Sequence, residues 1–363
     1  FEKSHFQFFC SSNIKTMNLS LLENTSTSTD EDEDDDAELE PVVPPSQVQF
    51  WTLIIFEIPS LACTIFLLYH LIVNQHLRRA LHNHVIIIFL VLTFFIEVFD
   101  NPLYIDAYRL GGYHNSFPMS IPICLMWWFI DAGFYGAITV FLAWASIERH
   151  ILVFNYHQLL RTKRQRFFVH YLPLIILSIY LLGFYVGVIF FPPCENTFEP
   201  ESLACGLTPC YGNIPWLNGW DYLANGILCT FIETISSIAM IIRIILQKRR
   251  VRQQLSWRKH RRMAFQLLSI SCLSLTIVFP QSLIVVIQQI GGPDYSEFGI
   301  EADPYFFYFY TFFVFLLPFI CLGSLPELWP KLLFFLPKCR RNIRVITPIG
   351  DPGTSARGPS QPT

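Results

Sequence analysis

Five carboxylic acids stand within or beside long apolar stretches: Glu57, Glu97, Asp131, Glu233 and Glu327. Charge at membrane depth is costly, so such residues are functional candidates. Their plainer role is that of a protonated or hydrogen-bonded carboxyl facing another helix. Asp131 has neighbours suited to recognition, because Trp127, Trp128, Phe134 and Tyr135 flank it and aromatic faces attract cations. No Lys or Arg lies in the outer half of any apolar stretch, and Arg109 is the nearest basic residue. A neutral Asp131 hydrogen-bonded to a Tyr, Ser or Thr is the first reading of that site, and a counter-ion for a free amine or a peptide's basic group is the other. Other chemistries lack their residues: the sequence has no nucleotide loop, nucleophile motif or zinc-ligand spacing. No catalytic residue, metal, cofactor or nucleic-acid partner is expected.

The elements that must position these acids are membrane spans. Of 363 residues, 52% are apolar and only 15% charged, against about 25% charged in a soluble domain. A hydrocarbon layer of roughly 30 Å takes about 20 apolar helical residues. Seven stretches qualify: 50–73, 85–105, 121–147, 167–191, 217–246, 264–290 and 304–329. A run such as VIIIFLVLTFFI at 85–96 has no polar face, as a buried helix of a soluble enzyme would. The expected fold is an all-α membrane protein, a seven-transmembrane helix bundle over 50–335. A disordered acidic segment at 1–49 precedes it and a short disordered tail at 336–363 follows.

Lys and Arg near span ends collect on the cytoplasmic side. With the amino terminus outside and the carboxyl terminus cytoplasmic, 22 basic residues fall inside and only Lys3, Lys15 and Arg109 outside. Asn18-Leu-Ser20 and Asn24-Thr-Ser26 are glycosylation sequons, which agrees with an outer amino terminus. The run EDEDDD at 31–36 is too charged to fold. Residues 1–16 have no apolar centre, so the first span is expected to act as the insertion signal. The chain does not begin with Met, and Met17 directly precedes the first sequon; residues 1–16 are expected to lie outside the native product.

On this topology Cys124, Cys194, Cys205 and Cys210 are outside, where disulfides persist. Four cysteines allow three pairings that sequence does not separate. A bridge to Cys124 would pin the long loop 192–216 across the mouth of the bundle. Cys339, beside basic residues after the last span, is a palmitoylation candidate.

The third stretch ends Ala145-Ser-Ile-Glu148-Arg149-His150, which resembles the Asp/Glu-Arg-Tyr motif of rhodopsin-like G-protein-coupled receptors. Cys124 precedes Arg149 by 149 − 124 = 25 residues, the family's spacing between its bridging Cys and motif Arg. The resemblance implies a plasma-membrane, multi-pass signalling receptor that activates a heterotrimeric G protein, with lipid around it. It implies that Glu148, Arg149 and His150 form the switch, with Arg149 held by Glu148 and reaching the sixth span. Asp131, 149 − 131 = 18 residues before Arg149, matches the amine-pairing Asp of amine receptors. Trp127, Trp128, Phe134, Tyr135, Phe279 and Phe319 are the other expected ligand contacts, the ligand being an unknown amine or peptide. Pro102, Pro280 and Pro326 are expected helix kinks. For Cys124 the expected partner is Cys210, nearest the fifth span, leaving Cys194 with Cys205; Cys124–Cys205 is the close alternative.

The departures are as plain as the matches. Ile277-Val278-Phe279 precedes Pro280 where most members carry Cys-Trp, and Leu325-Pro326-Glu327-Leu328-Trp329 replaces Asn-Pro-x-x-Tyr. Thr93 stands near where the second span of members normally carries its sodium-binding Asp, so sodium modulation is not expected. Phe319 occupies the site of the opsin Lys, which excludes a retinal Schiff base. A receptor-like protein that no longer couples to G proteins is the alternative function; a transporter is the third, and lacks the internal repeat such folds carry.

Overall fold

The computed structural model describes residues 44–111, 120–154, 162–198, 205, 209–250, 257–291, 298–299, 302–325 and 327–335. Among these no strand occurs, and the chain is a succession of helices. They are α1 (Ser46–Val73), α2 (Asn83–Arg109), α3 (Ile121–Phe154), α4 (Lys163–Phe190), α5 (Pro215–Arg243), α6 (Trp257–Gly291), α7 (Asp303–Ser324) and α8 (Trp329–Phe335). The first five are long and apolar enough to cross a membrane, while the apolar parts of α6 and α7 are the shorter Leu268–Ile284 and Tyr308–Gly323. The helices α1 to α7 belong to a unit ending at Ser324, and α8 to a second unit, Leu325–Thr363. The sequence places the seventh span at 304–329, but the helix stops at Ser324 and α8 starts afresh at Trp329. Pro326, the expected kink there, lies outside the described residues, as do Asn18, Asn24 and Cys339.

The exposure pattern is that of helices solvated by lipid. Ile58, Ile179 and Ile235 are 67%, 66% and 65% exposed, whereas Leu67, Leu71 and the polar Ser60 and Thr64 are fully buried. Water would not tolerate so continuous an apolar exterior. Helix starts follow local chemistry. Thr162 Oγ1 accepts from the Gln165 amide at 3.2 Å while Gln165 Oε1 accepts from Thr162 N at 3.1 Å, a reciprocal cap that opens α4. Asn74 closes α1, and its side chain accepts from His76 N at 3.1 Å to start the turn toward α2.

Within the first unit the helices close on one another: α1 packs on α2 and α7, α6 on α5 and α7, and α3 touches α2, α4, α5 and α6. Three helices contain a widened turn: Ile96–Asp100 in α2, Phe167–Tyr171 in α4 and Asp221–Ile227 in α5. That of α2 runs directly into Pro102, whose missing N–H breaks the helical ladder there, so the expected irregularity at Pro102 is present. Pro59, Pro280 and Pro318 lie inside α1, α6 and α7.

Two glycines bring α4 close to α3. A Cβ on Gly133 would sit 3.3 Å from Tyr185 Cγ, and one on Gly136 would collide with the Tyr185 hydroxyl, so both positions require the small side chain. Gly136→Ala should destabilise the protein by about 1–3 kcal/mol, read as a lower thermal unfolding midpoint in detergent. Gly183→Ala, where a Cβ meets nothing within 4 Å, should leave that midpoint unchanged or raised. Tyr185→Phe in the Gly136→Ala background should recover part of the loss. Equal effects of the two alanine substitutions would refute the close approach.

Candidate functional site

The helix α3 carries the candidate residues on one face. Asp131 and Arg149 are 18 residues apart, which at 100° per residue is five whole turns and about 27 Å along the axis. Trp127, Trp128, Phe134 and Tyr135, within four residues of Asp131, fall within about 60° on either side of the same line.

At the Asp131 end the surroundings are acidic and aromatic. Asp131 is half-buried and bonded by Tyr104 of α2. It interacts electrostatically with a second acid, Asp100, which is fully buried and accepts from Trp127 Nε1 at 2.8 Å and from the Tyr135 side chain. Asp100 Oδ2 has no hydrogen-bond partner. Two further acids follow toward α1: Glu57 accepts from Asn101 Nδ2 at 2.8 Å, and Glu97 from Ser60, whose hydroxyl also meets the Phe315 carbonyl of α7 at 2.9 Å. One Ser and one Glu thus join three helices. The exposed Arg109 pairs with half-buried Asp106 at 2.8 Å.

The aromatic expectations divide. Trp127 and Trp128 are 2% exposed; Trp127 serves Asp100, and Trp128 is stacked by Phe198 of the long loop, ring centroids 5.2 Å apart. Tyr135 meets Tyr310 of α7 at 5.0 Å. Phe134 instead packs edge-on to Phe95 and Phe129, so it belongs to the apolar packing beside the acids. Phe279 packs on Phe231 of α5 at 5.8 Å. Phe319 is 37% exposed, and the α7 ring that meets Tyr135 is that of Tyr310.

The loop is tied by two bridges, Cys124–Cys205 and Cys194–Cys210, with Cα atoms 5.7 and 6.0 Å apart. The expected Cys124–Cys210 pairing is therefore corrected to its alternative. The reason is local: Asn196 Oδ1 accepts from Cys210 N at 2.9 Å, folding 194–198 back on Cys210. Tyr211 next to it is fully buried and donates to Asp221 Oδ2 at 3.1 Å. Burial and that carboxylate push the Tyr211 phenol well above its ordinary range. Cys205 itself has φ of 58°, a left-handed conformation that a non-glycine residue adopts only when held.

Asp221 was not among the acids singled out from sequence, although it lies inside the fifth apolar stretch. It also accepts from Tyr185 at 2.8 Å and Asn225 at 2.9 Å, while Asn225 Oδ1 accepts from Tyr180 and the Tyr180 hydroxyl from Trp220 Nε1, both at 2.8 Å. The widened turn of α5 supplies both Asp221 and Asn225 to this network. The sequence matches no protein-family model and no curated protein.

At the other end of the face Arg149 is 2% exposed, and its Nε and Nη2 have no hydrogen-bond partner. Its electrostatic neighbours are Glu233 of α5 and Glu148. Glu148 does not hold it in an ion pair within 4 Å; Glu148 Oε1 is taken by His170 Nδ1 of α4. The expected reach of Arg149 toward α6 is likewise replaced by Glu233, which accepts from Ser274 of α6 at 3.0 Å. His150 Nε2 donates to the Ser236 carbonyl at 2.8 Å.

The bridges are directly checkable. Peptide mapping without reduction should recover a Cys124–Cys205 peptide pair, and Cys210→Ser should expose Cys194, not Cys124, to a thiol reagent. A labelled Cys124 in that variant would overturn the pairing.

Proposed function

We propose that the chain is a plasma-membrane receptor that binds an extracellular cation-bearing ligand between its helices and acts on a heterotrimeric G protein. One observation carries the reading: a single face of α3 holds a half-buried Asp131 among aromatic rings at one end and a buried, under-bonded Arg149 at the other. A ligand can only shift an equilibrium by differential contact with two states, and this face gives one rigid element a share in both ends. The amino terminus lies outside, so that the bridged loop and Asp131 face the ligand side and Arg149 the cytoplasm. The charge split of the sequence supports that orientation.

At the ligand end Asp131 and Asp100 form a carboxyl pair with no ion pair to a cation among the described residues, beside the rings of Trp127, Tyr135 and Tyr310. An amine or a peptide's basic group fits that chemistry. At the cytoplasmic end Arg149 has Glu233 and Glu148 as rival neighbours, and a docking G protein selects the arrangement it binds.

Membranes co-expressing the protein with each G-protein class, screened against amines and basic peptides for GTP-analogue exchange, test the proposal. Arg149→Ala should abolish exchange at unchanged surface expression. Asp131→Asn should weaken the responding ligand about 10–100-fold, the size of one charged hydrogen bond. A tag placed after Thr363 should be labelled only in permeabilised cells. Exchange that survives Arg149→Ala, or a tag labelled on intact cells, would refute the reading.

A further inference from the structure

The switch end contains a second chain of titratable groups that the receptor reading does not use. Glu148 Oε1 meets His170 Nδ1, and His170 Nε2 lies 2.8 Å from His84 Nδ1. The three come from α3, α4 and α2. His170 is fully buried and Glu148 3% exposed, while His84 is half-buried. The line therefore starts at a ring that solvent reaches and ends at the residue before Arg149.

From these contacts we infer that His84, His170 and Glu148 form a proton-binding relay, which takes up one proton and thereby sets which carboxylate Arg149 faces. The hydrogen-bond count supports it. With both imidazoles neutral and Glu148 ionised, His170 donates through Nδ1 to the carboxylate and accepts through Nε2 from His84 Nδ1–H. Both inner bonds are made, and His84 keeps one nitrogen able to accept a proton. The carbonyl of Arg78 bonds the His84 ring, and a carbonyl can only accept, so the added proton finds a partner there. Protonation breaks no bond of the line. Moving the charge one ring inward gives an imidazolium at His170 against the Glu148 carboxylate, a charge-assisted pair. A second proton would set two imidazolium rings 2.8 Å apart, nitrogen to nitrogen, so the relay binds one.

The other groups facing the relay do not supply that charge. Tyr171 of α4 lies edge-on to His170 at 4.8 Å and tilted to His84 at 5.4 Å. Arg166, one turn earlier on α4, is half-buried. On α3 the neighbour is Arg149, with Glu233 of α5 beyond it. When the proton is bound, the imidazolium compensates Glu148 and leaves Arg149 to Glu233. When it leaves, the full Glu148 charge competes for Arg149. The widened turn Phe167–Tyr171 that places His170 makes α4 the carrier of this device.

The proton site stands on geometry alone; its effect on signalling rests on the receptor reading above. The test is nuclear magnetic resonance of ring-¹⁵N-histidine protein in lipid nanodiscs, with His84 and His170 assigned by substitution. His84 and His170 should share a single proton between them, and Glu148→Gln should lower their common midpoint by about one pH unit or more, as loss of a neighbouring opposite charge does. His84→Gln should leave His170 titrating alone and should not unfold the protein. Two rings that each bind a proton, or a midpoint indifferent to Glu148→Gln, would overturn the relay. Exchange in Arg149→Ala membranes is measured separately, so failure of the receptor reading leaves the resonance result standing. If both hold, GTP-analogue exchange should vary with cytoplasmic-side pH in the wild type and lose that dependence in His84→Gln; a retained dependence would overturn the link to Arg149.

Discussion

Arg149 has to be reconciled with a low-dielectric interior, and much of the surrounding polar structure follows from that. Its guanidinium is 2% exposed and two of its three nitrogens are unbonded. An isolated charge so placed costs several kcal/mol even after relaxation. Glu233 is the compensating acid on α5, and it is itself steadied by Ser274 of α6. Glu148 is drawn off by His170, which leaves Arg149 short of one full partner. A saturated Arg would have no reason to change neighbours, whereas this one gains from any new acceptor.

The same scarcity governs the Asp131 end with the sign reversed. Glu57, Glu97, Asp100 and Asp131 stand together, with Asn101, Ser60, Trp127 and Tyr104 as neutral donors. Neutral donors satisfy some oxygens and leave others, so Glu57 Oε1, Glu97 Oε2 and Asp100 Oδ2 remain unpartnered. A cation entering near Asp131 would meet several oxygens already desolvated, which is the preorganisation that recognition needs. Asp131 lies toward one end of α3 and Arg149 toward the other, with the remaining acids on α1 and α2.

Sequence read the gross architecture well because lipid imposes a one-dimensional rule. Length and apolarity placed the long helices to within a few residues, and topology put Cys124 among the bridged cysteines. What it missed depends on three-dimensional pairing. Nothing in the order of residues says that Glu148 meets His170, 22 positions away, in preference to Arg149 beside it. Asp100 was given no role and is the partner of Trp127; Asp221 was passed over although it stood in an apolar stretch. The seventh apolar stretch was read through to 329, whereas α7 ends at Ser324. Cys210 was preferred by its distance along the chain, whereas Asn196 folds the loop so that Cys194 reaches it first.

Several of the misses share a kind of location. Three widened turns carry Asp100, then His170, then Asp221 and Asn225, polar groups that hydropathy patterns left without a role. A widened turn departs from the 3.6-residue register and re-aims side chains while leaving carbonyls underused. It therefore suits polar residues, which can bond what the turn frees, and it offers a point at which a helix can tighten or relax by one hydrogen bond. On α2, α4 and α5 these turns surround α3 on three sides. A shift of α3 that alters Arg149 would be felt first at those turns, because they are where the helical ladder is already broken.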